Sequence, residues 1–348
     1  MELRFWRYEL QLAHRWMIAT SQASGGRCEK SVVVVELRDR DGVIGRGEAS
    51  PSLRYNESAE TALAFMHRID PSRLSFDHLE SSMRYIEALA PNEFSGKGAV
   101  DIALLDGAAK KARQPLHDFL SLGFTEGNHV TSISIGIDTP ELIREKAREA
   151  EAFPILKLKV GAPNDQENLA ALRDIAPMKS IRVDANEAWA TKEEALRHIE
   201  ELARDPNIEL VEQPMPAANP PNDFIWLKER SPLLIVGDES YMNANDAERC
   251  AACFHGVNVK LAKTGGITRA IDALRAARER GLKTMIGSMI ESSLLTSAGA
   301  HLASLADWLD LDGMLLITND PFHGVTASRG VMSFAHAAEP HGLCIAPR

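Results

Sequence analysis

The chain has 348 residues, 45% of them hydrophobic and 25% charged, with a formal net charge of -10. That length allows one large domain beside a smaller one, and the acidic balance argues against nonspecific binding to nucleic acid or an anionic membrane, which needs a basic surface. No run approaches the roughly 20 apolar residues of a membrane span, and four cysteines are too few for a disulfide framework, so a cytoplasmic protein is expected.

The N-terminal stretch MELRFWRYELQLAHRW carries charges throughout and no apolar core of signal-peptide length. EKSVVVVELRDRDGVIGRGEAS then reads as two strands about a turn centred on Asp41 and Gly42, an antiparallel hairpin. ESAETALAFMHRI, DHLESSMRYIEALA and GKGAVDIALLDGAAKKA follow as helices. Residues 1–128 are therefore expected to form an α+β domain.

From Thr131 onward, short β-rich runs alternate with amphipathic helical stretches. The runs are TSISIGI, ILKLKV, SIRVDAN, IELVEQP, LLIVGDES, GVNVKLAK, LKTMIGS and WLDLDG. Strand then helix, repeated eight times, is the pattern of a parallel (β/α)8-type barrel, placed at residues 129–320. A doubly wound open sheet is the alternative, although the glycine-rich first turn usual for it is missing. Residues 321–348 hold no further βα unit and are expected to pack back on the N-terminal domain. Cys250 and Cys253 form a CxxC within DAERCAACF, a helical stretch with no second pair or histidine cluster, so buried helix cysteines are favoured over a zinc or redox site.

ILKLKVG, residues 155–161, places Lys157 and Lys159 on one face of a strand. They either face water on an edge strand or occupy an enclosed face where their like-charge cost has a use. The other strand ends bear on this choice, because barrel strands deliver their C-terminal residues to one mouth. Those ends carry Lys159, Asp184, Glu212, Asp238 and Lys260, with Asp310 and Asp312 on the last run. Any one acid alone would read as a cap or loop residue, but three at successive strand ends are better explained by a shared cation. Oxygen-only ligands suit a hard ion such as Mg²⁺.

A lysine works as a base only if its pKa is brought down, which Lys157 and a divalent cation would do for Lys159. Removing a proton next to a carboxylate creates an enediolate that a metal can stabilise, with one lysine on each face to take and return the proton. Lys260 is preferred to Lys263 as the second lysine because VNVK ends its strand, whereas Lys263 is read as part of the loop leading to Gly265 and Gly266. That glycine pair reads as a tight turn rather than a phosphate cradle.

KLKVG, VDANEAW, VEQP, GDES and VNVKLAKTGG, in this order and with GRGEASP ahead of them, resemble the muconate-lactonizing subgroup of the enolase superfamily over nearly the whole chain. The resemblance implies an N-terminal capping domain, Mg²⁺ ligands Asp184, Glu212 and Asp238, acid/base lysines Lys159 and Lys260, and Lys157 as the accessory lysine of the KxK. MIGSMIESSL and LDLDGMLLI discriminate within the subgroup: Ser288 and Met289 are implied to contact substrate, and the DxD of Asp310 and Asp312 is similar to the pair that binds a dipeptide's α-ammonium in dipeptide epimerases. Two carboxylates on alternate residues suit an ammonium ion. Glutamate-specific members carry an arginine in the first capping-domain loop, where this chain has Thr20 or Ser21, with Arg15, Arg27 and Arg54 close in sequence. That departure counts against a glutamate side chain.

The expected activity is Mg²⁺-dependent epimerisation of a dipeptide at the α-carbon of its C-terminal residue, by two-lysine 1,1-proton transfer, in a homo-oligomer with no nucleic-acid or membrane partner. Muconate cycloisomerase, o-succinylbenzoate synthase and N-acylamino acid racemase are the alternatives within the superfamily, and the DxD weighs against them. A Schiff-base lysine barrel leaves the three acids unexplained. A noncatalytic binding barrel has no need of lysines on both faces.

Overall fold

Three antiparallel strands open the chain: β1 (Glu2–Trp16), β2 (Arg27–Arg38) and β3 (Ile44–Ala49), in the order β1-β2-β3. The computed structural model describes residues 1–348. Asp39 makes the hairpin turn, its carboxylate accepting the N–H groups of Asp41 and Val43 at 3.0 and 2.9 Å. The long β1 is not marked by an apolar alternation, because most of its residues are exposed or half-buried.

The continuous VVVV of β2 has a topological cause. Val33 and Val35 join the core of the N-terminal domain while Val34 faces the core of the barrel, so both sides of this strand are buried and the run does not alternate. Helices α1 (Ala59–Met66), α2 (Leu79–Leu89), α3 (Phe94–Lys111) and α4 (Leu116–Phe119) complete the cap. Here α3 lies so close on β3 that a Cβ at Gly45 or Gly47 would stand within about 2.0 Å of the carbonyl oxygen of Ala103 or Ala99, so glycine is required at both places.

The barrel follows as β4 (Ile133–Ile135), α5 (Pro140–Glu149), β5 (Ile155–Lys159), α6 (Asp165–Ile175), β6 (Ser180–Asp184), α7 (Lys192–Leu202), β7 (Ile208–Glu212), α8 (Pro221–Arg230), β8 (Leu234–Gly237) and α9 (Ala247–Cys253). It continues through β9 (Gly256–Lys260), α10 (Leu261–Thr264), α11 (Ile267–Glu279), β10 (Lys283–Gly287), α12 (Ser293–Ala300) and β11 (Trp308–Asp310). All eight strands are parallel in the order β4 to β11. A parallel bridge from Thr131 to Leu309 brings the last strand to the first, which removes the open-sheet alternative. The eight-fold strand-then-helix reading needs one correction: β11 leads only to a 3-10 turn, Gly313–Leu316. The segment before Pro321 is too short for a packed helix, and Gly313 is wedged against the carbonyl of Met289.

Beyond the barrel, the tail touches both domains. Gly342 accepts the N–H of Leu116, Leu343 donates to Asp106, and Val325 donates to Ser297. Cys250 and Cys253 are buried on α9 and unpaired. No helix is long and apolar enough to cross a membrane.

Candidate active site

Strand register sets the mouth of the barrel. Lys159 pairs across to Asp184, Asp184 to Glu212, Lys260 to Gly287 and Gly287 to Asp310. Asp238 follows β8 directly. Lys159 thus ends the second of eight strands and Lys260 the sixth, half a barrel apart, with Asp184, Glu212 and Asp238 on the third, fourth and fifth between them.

A cavity of about 400 Å³ sits over this ring, between barrel and cap. Its walls include Lys159, Asp238, Lys260, Ser288, Met289, Asp310 and Asp312 from the barrel, and Thr20, Ser21, Arg27, Lys30, Arg54 and Tyr55 from the cap. Asp184, Glu212 and Lys157 lie beneath it, each with 0% exposure. The edge-strand reading of the lysine pair is therefore wrong: β5 is interior, and Lys159 retains only 7% exposure.

Each lysine has an acidic partner. Lys157 Nζ lies 2.5 Å from Asp310, 2.8 Å from Glu212 and 3.1 Å from Asp184. Burial opposes its charge, but these three carboxylates outweigh that cost and hold its pKa well above the ordinary lysine value. Its charge is thus neutralised at contact distance, which corrects the picture of a free like charge acting on Lys159. Lys159 pairs with Asp184 at 2.5 Å and Lys260 with Asp238 at 2.8 Å. Lys263 is not in a loop. It sits on α10, a one-turn helix, and spends its ammonium on Asp238 and on the carbonyls of Asp238 and Asn258.

The glycine pair beyond it is a domain seam. A Cβ at Gly266 would meet Asp101 of α3, whose carboxylate takes the N–H and hydroxyl of Thr268, and this leaves no phosphate cradle there.

The two acids of the DxD are in different situations. Asp310 Oδ2 is held by Lys157 and Oδ1 by the Ser132 hydroxyl at 2.7 Å. Asp312 accepts the N–H of Ser134 at 2.6 Å and has no cationic partner. Burial and the charge of Asp310 push Asp312 up to about 6.

The enolase C-terminal domain-like family matches residues 141–341, and the N-terminal domain of the mandelate racemase and muconate lactonizing enzyme family matches residues 9–121. The chain belongs to the enolase superfamily. It is 57% identical to an L-Ala-D/L-amino acid epimerase of Pedosphaera parvula over 343 residues, 99% of each chain. It is 36% identical to an L-Ala-D/L-Glu epimerase of Bacteroides thetaiotaomicron, over 95% of this chain and 84% of the relative. The fold superposes on a dipeptide epimerase of Enterococcus faecalis, solved with Mg and L-Leu-L-Tyr, with a TM-score of 0.88, 28% identity and 99% coverage of both chains.

In this superfamily member, no three His, Cys, Asp or Glu side chains gather tightly enough to hold a metal as they stand, because ammonium groups engage the carboxylates. The donor set nevertheless suits a hard divalent cation, because it offers carboxylate oxygens alone at three successive strand ends. Glu212 is wholly buried, with Oε1 held by Asn258 and Oε2 2.8 Å from Lys157 Nζ. Around the mouth, Asp184, Glu212, Asp238 and Asp310 meet the ammonium groups of Lys157, Lys159, Lys260 and Lys263. Glu239 beside them is pushed up to about 8 by burial and by the charges of Asp238 and Asp184.

Several supporting residues escaped the sequence reading. Asn258 donates to Glu212 at 2.9 Å, and its place two residues before Lys260 on a buried strand was the available signal. Gln213 takes the N–H groups of Asp238 and Ser240. With Asn186 and Glu187 it adopts positive φ (35°, 43° and 67°), strained backbone collected at the mouth. Arg54 of the cap clasps Glu187 of the barrel with two bonds of 2.6 and 2.7 Å. The hydroxyl of Ser21 is used within its own turn, on Ile18, and Thr20 is exposed.

Proposed function

We propose that the protein is a Mg²⁺-dependent dipeptide epimerase that inverts the α-carbon of the C-terminal residue. The observation that carries this reading is the placement of Lys159 and Lys260 half a barrel apart on one cavity, with the three carboxylates between them and Asp312 in the wall. A planar enediolate presents two faces, and ammonium groups arriving from opposite walls can each serve one.

Asp184, Glu212 and Asp238 would hold Mg²⁺, which supplies Lewis-acid stabilisation of the charge that develops on the substrate carboxylate. One lysine, as the free amine, takes the α-proton, and the other delivers its own proton to the opposite face, so that configuration inverts and the two exchange roles. Burial opposes the charge on Lys260, but Asp238 and Glu212 outweigh it and hold the pKa above the ordinary value. Asp312 receives the substrate ammonium, while Asp310, held by Lys157 and Ser132, steadies the strand end beside it.

The test is a dipeptide library incubated in D₂O with Mg²⁺ and read by mass spectrometry for uptake of one deuteron at the C-terminal residue's α-carbon. Uptake by free dipeptides supports the reading. Uptake by N-acetylated amino acids with none by dipeptides would replace it with an N-acylamino acid racemase.

A further inference from the structure

The three proposed metal ligands come from three different strands. Asp184 ends β6, Glu212 ends β7 and Asp238 follows β8. A whole βα unit separates each from the next, so the spacing of their carboxylates is set only where the strand ends are tied to one another.

One residue makes such ties to all three. Gln213, next after Glu212, is wholly buried and does not line the cavity. Its peptide N–H donates to the carbonyl of Val236 on β8 at 2.8 Å, and its own carbonyl accepts the N–H of Glu187, in the loop after β6, at 2.9 Å. Its side-chain Oε1 accepts the N–H groups of Asp238 and Ser240 at 2.9 and 3.1 Å, while Nε2 donates to the carbonyl of Met215 and the hydroxyl of Ser240, both at 2.9 Å. A side-chain amide has two N–H donors and an oxygen with two lone pairs, and here all four are used. A carboxylate in its place would set an oxygen against the Met215 carbonyl, and an apolar chain would leave the Asp238 N–H without its acceptor.

The backbone of Gln213 points the same way. Its φ is 35°, in the left-handed region that favours glycine, and a residue with a Cβ persists there only where its surroundings over-determine it. Glycine would meet that backbone demand without strain, but it has no amide to hold Asp238. On the other side of Asp238, Lys263 takes the carbonyl, so the peptide groups before and after this acid are both pinned, one of them by a neutral group that adds no charge to the site. We infer that Gln213 is a positioning residue for the divalent cation: its amide fixes Asp238 against Glu212 and its carbonyl fixes the loop after Asp184, so that the three carboxylates keep one spacing. This rests on the epimerase reading, in which those acids hold Mg²⁺, and it puts Gln213 behind them, out of reach of substrate.

The experiment titrates Mg²⁺ into chelator-treated protein by calorimetry, for the wild type, Gln213→Gly and Gln213→Leu, with folding checked by thermal melting. Outer partners of metal ligands are worth about tenfold to a hundredfold in metal affinity, so both variants should bind Mg²⁺ that much more weakly. Gln213→Gly decides the matter, because it removes the amide while relieving the left-handed backbone, and it carries the test alone if Gln213→Leu fails to fold. A residue kept only to shape the turn would be replaced by glycine without loss, so an affinity within about twofold of the wild type in Gln213→Gly overturns the assignment. Mn²⁺ in place of Mg²⁺ gives a second readout: the paramagnetic resonance spectrum of the bound ion should broaden in Gln213→Gly as its ligands lose their fixed spacing, and an unchanged spectrum overturns the assignment too. Wild-type protein that takes up no Mg²⁺ would remove the metal from the epimerase reading and this inference with it, whereas equally tight binding by the wild type and Gln213→Gly removes only the role of Gln213.

Discussion

Lys157 is wholly buried among three carboxylates, and its surroundings say what its removal would do. Lys157→Met would leave Asp184, Glu212 and Asp310 facing one another in a buried space, and breaking such a cluster by deleting one partner costs about 3–5 kcal/mol. Chemical denaturation should show a loss of that order; a change below about 1 kcal/mol would mean that the carboxylates find compensation without it. The two wall lysines make a different prediction, since each serves one face. Lys159→Ala should abolish solvent exchange of one substrate epimer while the other continues slowly through Lys260, and Lys260→Ala should do the converse. Loss of both exchanges in Lys263→Ala with none in Lys260→Ala would reverse the assignment of the second lysine. Asp312 is tested through the substrate: N-acetylation removes the ammonium, so kcat/KM should fall at least about tenfold in the wild type, and Asp312→Asn should harm the free dipeptide far more than the acetylated one.

At the scale of elements, the seam between β3 and the loop after β10 carries a pH signature. Glu48 is buried there, and its carboxyl is pushed from 4.5 up to about 7, mainly by burial and against the hydrogen bonds of Ser292. The folded state therefore keeps a proton that the unfolded chain releases above pH 4.5, so this group's contribution is full below pH 4.5 and is lost as pH rises through 7, a swing of about 3 kcal/mol. Stability curves of the wild type and Glu48→Gln should differ in slope across that window, and parallel curves would contradict the assignment. How much of these elements the sequence disclosed follows from what each residue packs against. Five of the eight barrel strands were legible because apolar runs end in a charge, as in IELVE and GVNVK. β1 was not, since a half-exposed strand has no periodic signal, and neither was the part proposed for Gln213, which in VEQP looks like any polar residue closing a strand. That part depends on Glu187, Val236 and Asp238, none of which can be placed from its neighbours in sequence. The clasp of Arg54 on Glu187 was hidden for the same reason, with 132 residues between the partners.

The whole molecule is organised around the buried charges at one mouth. Asp184, Glu212 and Asp238, the proposed ligands, come together only on folding, so chelator-treated protein should gain about 2.7 kcal/mol of stability at a hundredfold excess of Mg²⁺ over its Kd. Glu212→Gln should lose most of that gain along with most of the turnover, and undiminished exchange in excess chelator would remove the metal from the mechanism. The closing bridge between Thr131 and Leu309 has a consequence of another kind. β11 carries both acids of the DxD, and its Leu309 carbonyl receives Arg182 from across the barrel at 2.7 Å. The site thus waits on the last strand to leave the ribosome. A nascent chain paused before Trp308 has all three proposed metal ligands and both proposed acid/base lysines, yet nothing to seat the substrate's ammonium, so competence for catalysis arrives with β11 rather than growing strand by strand.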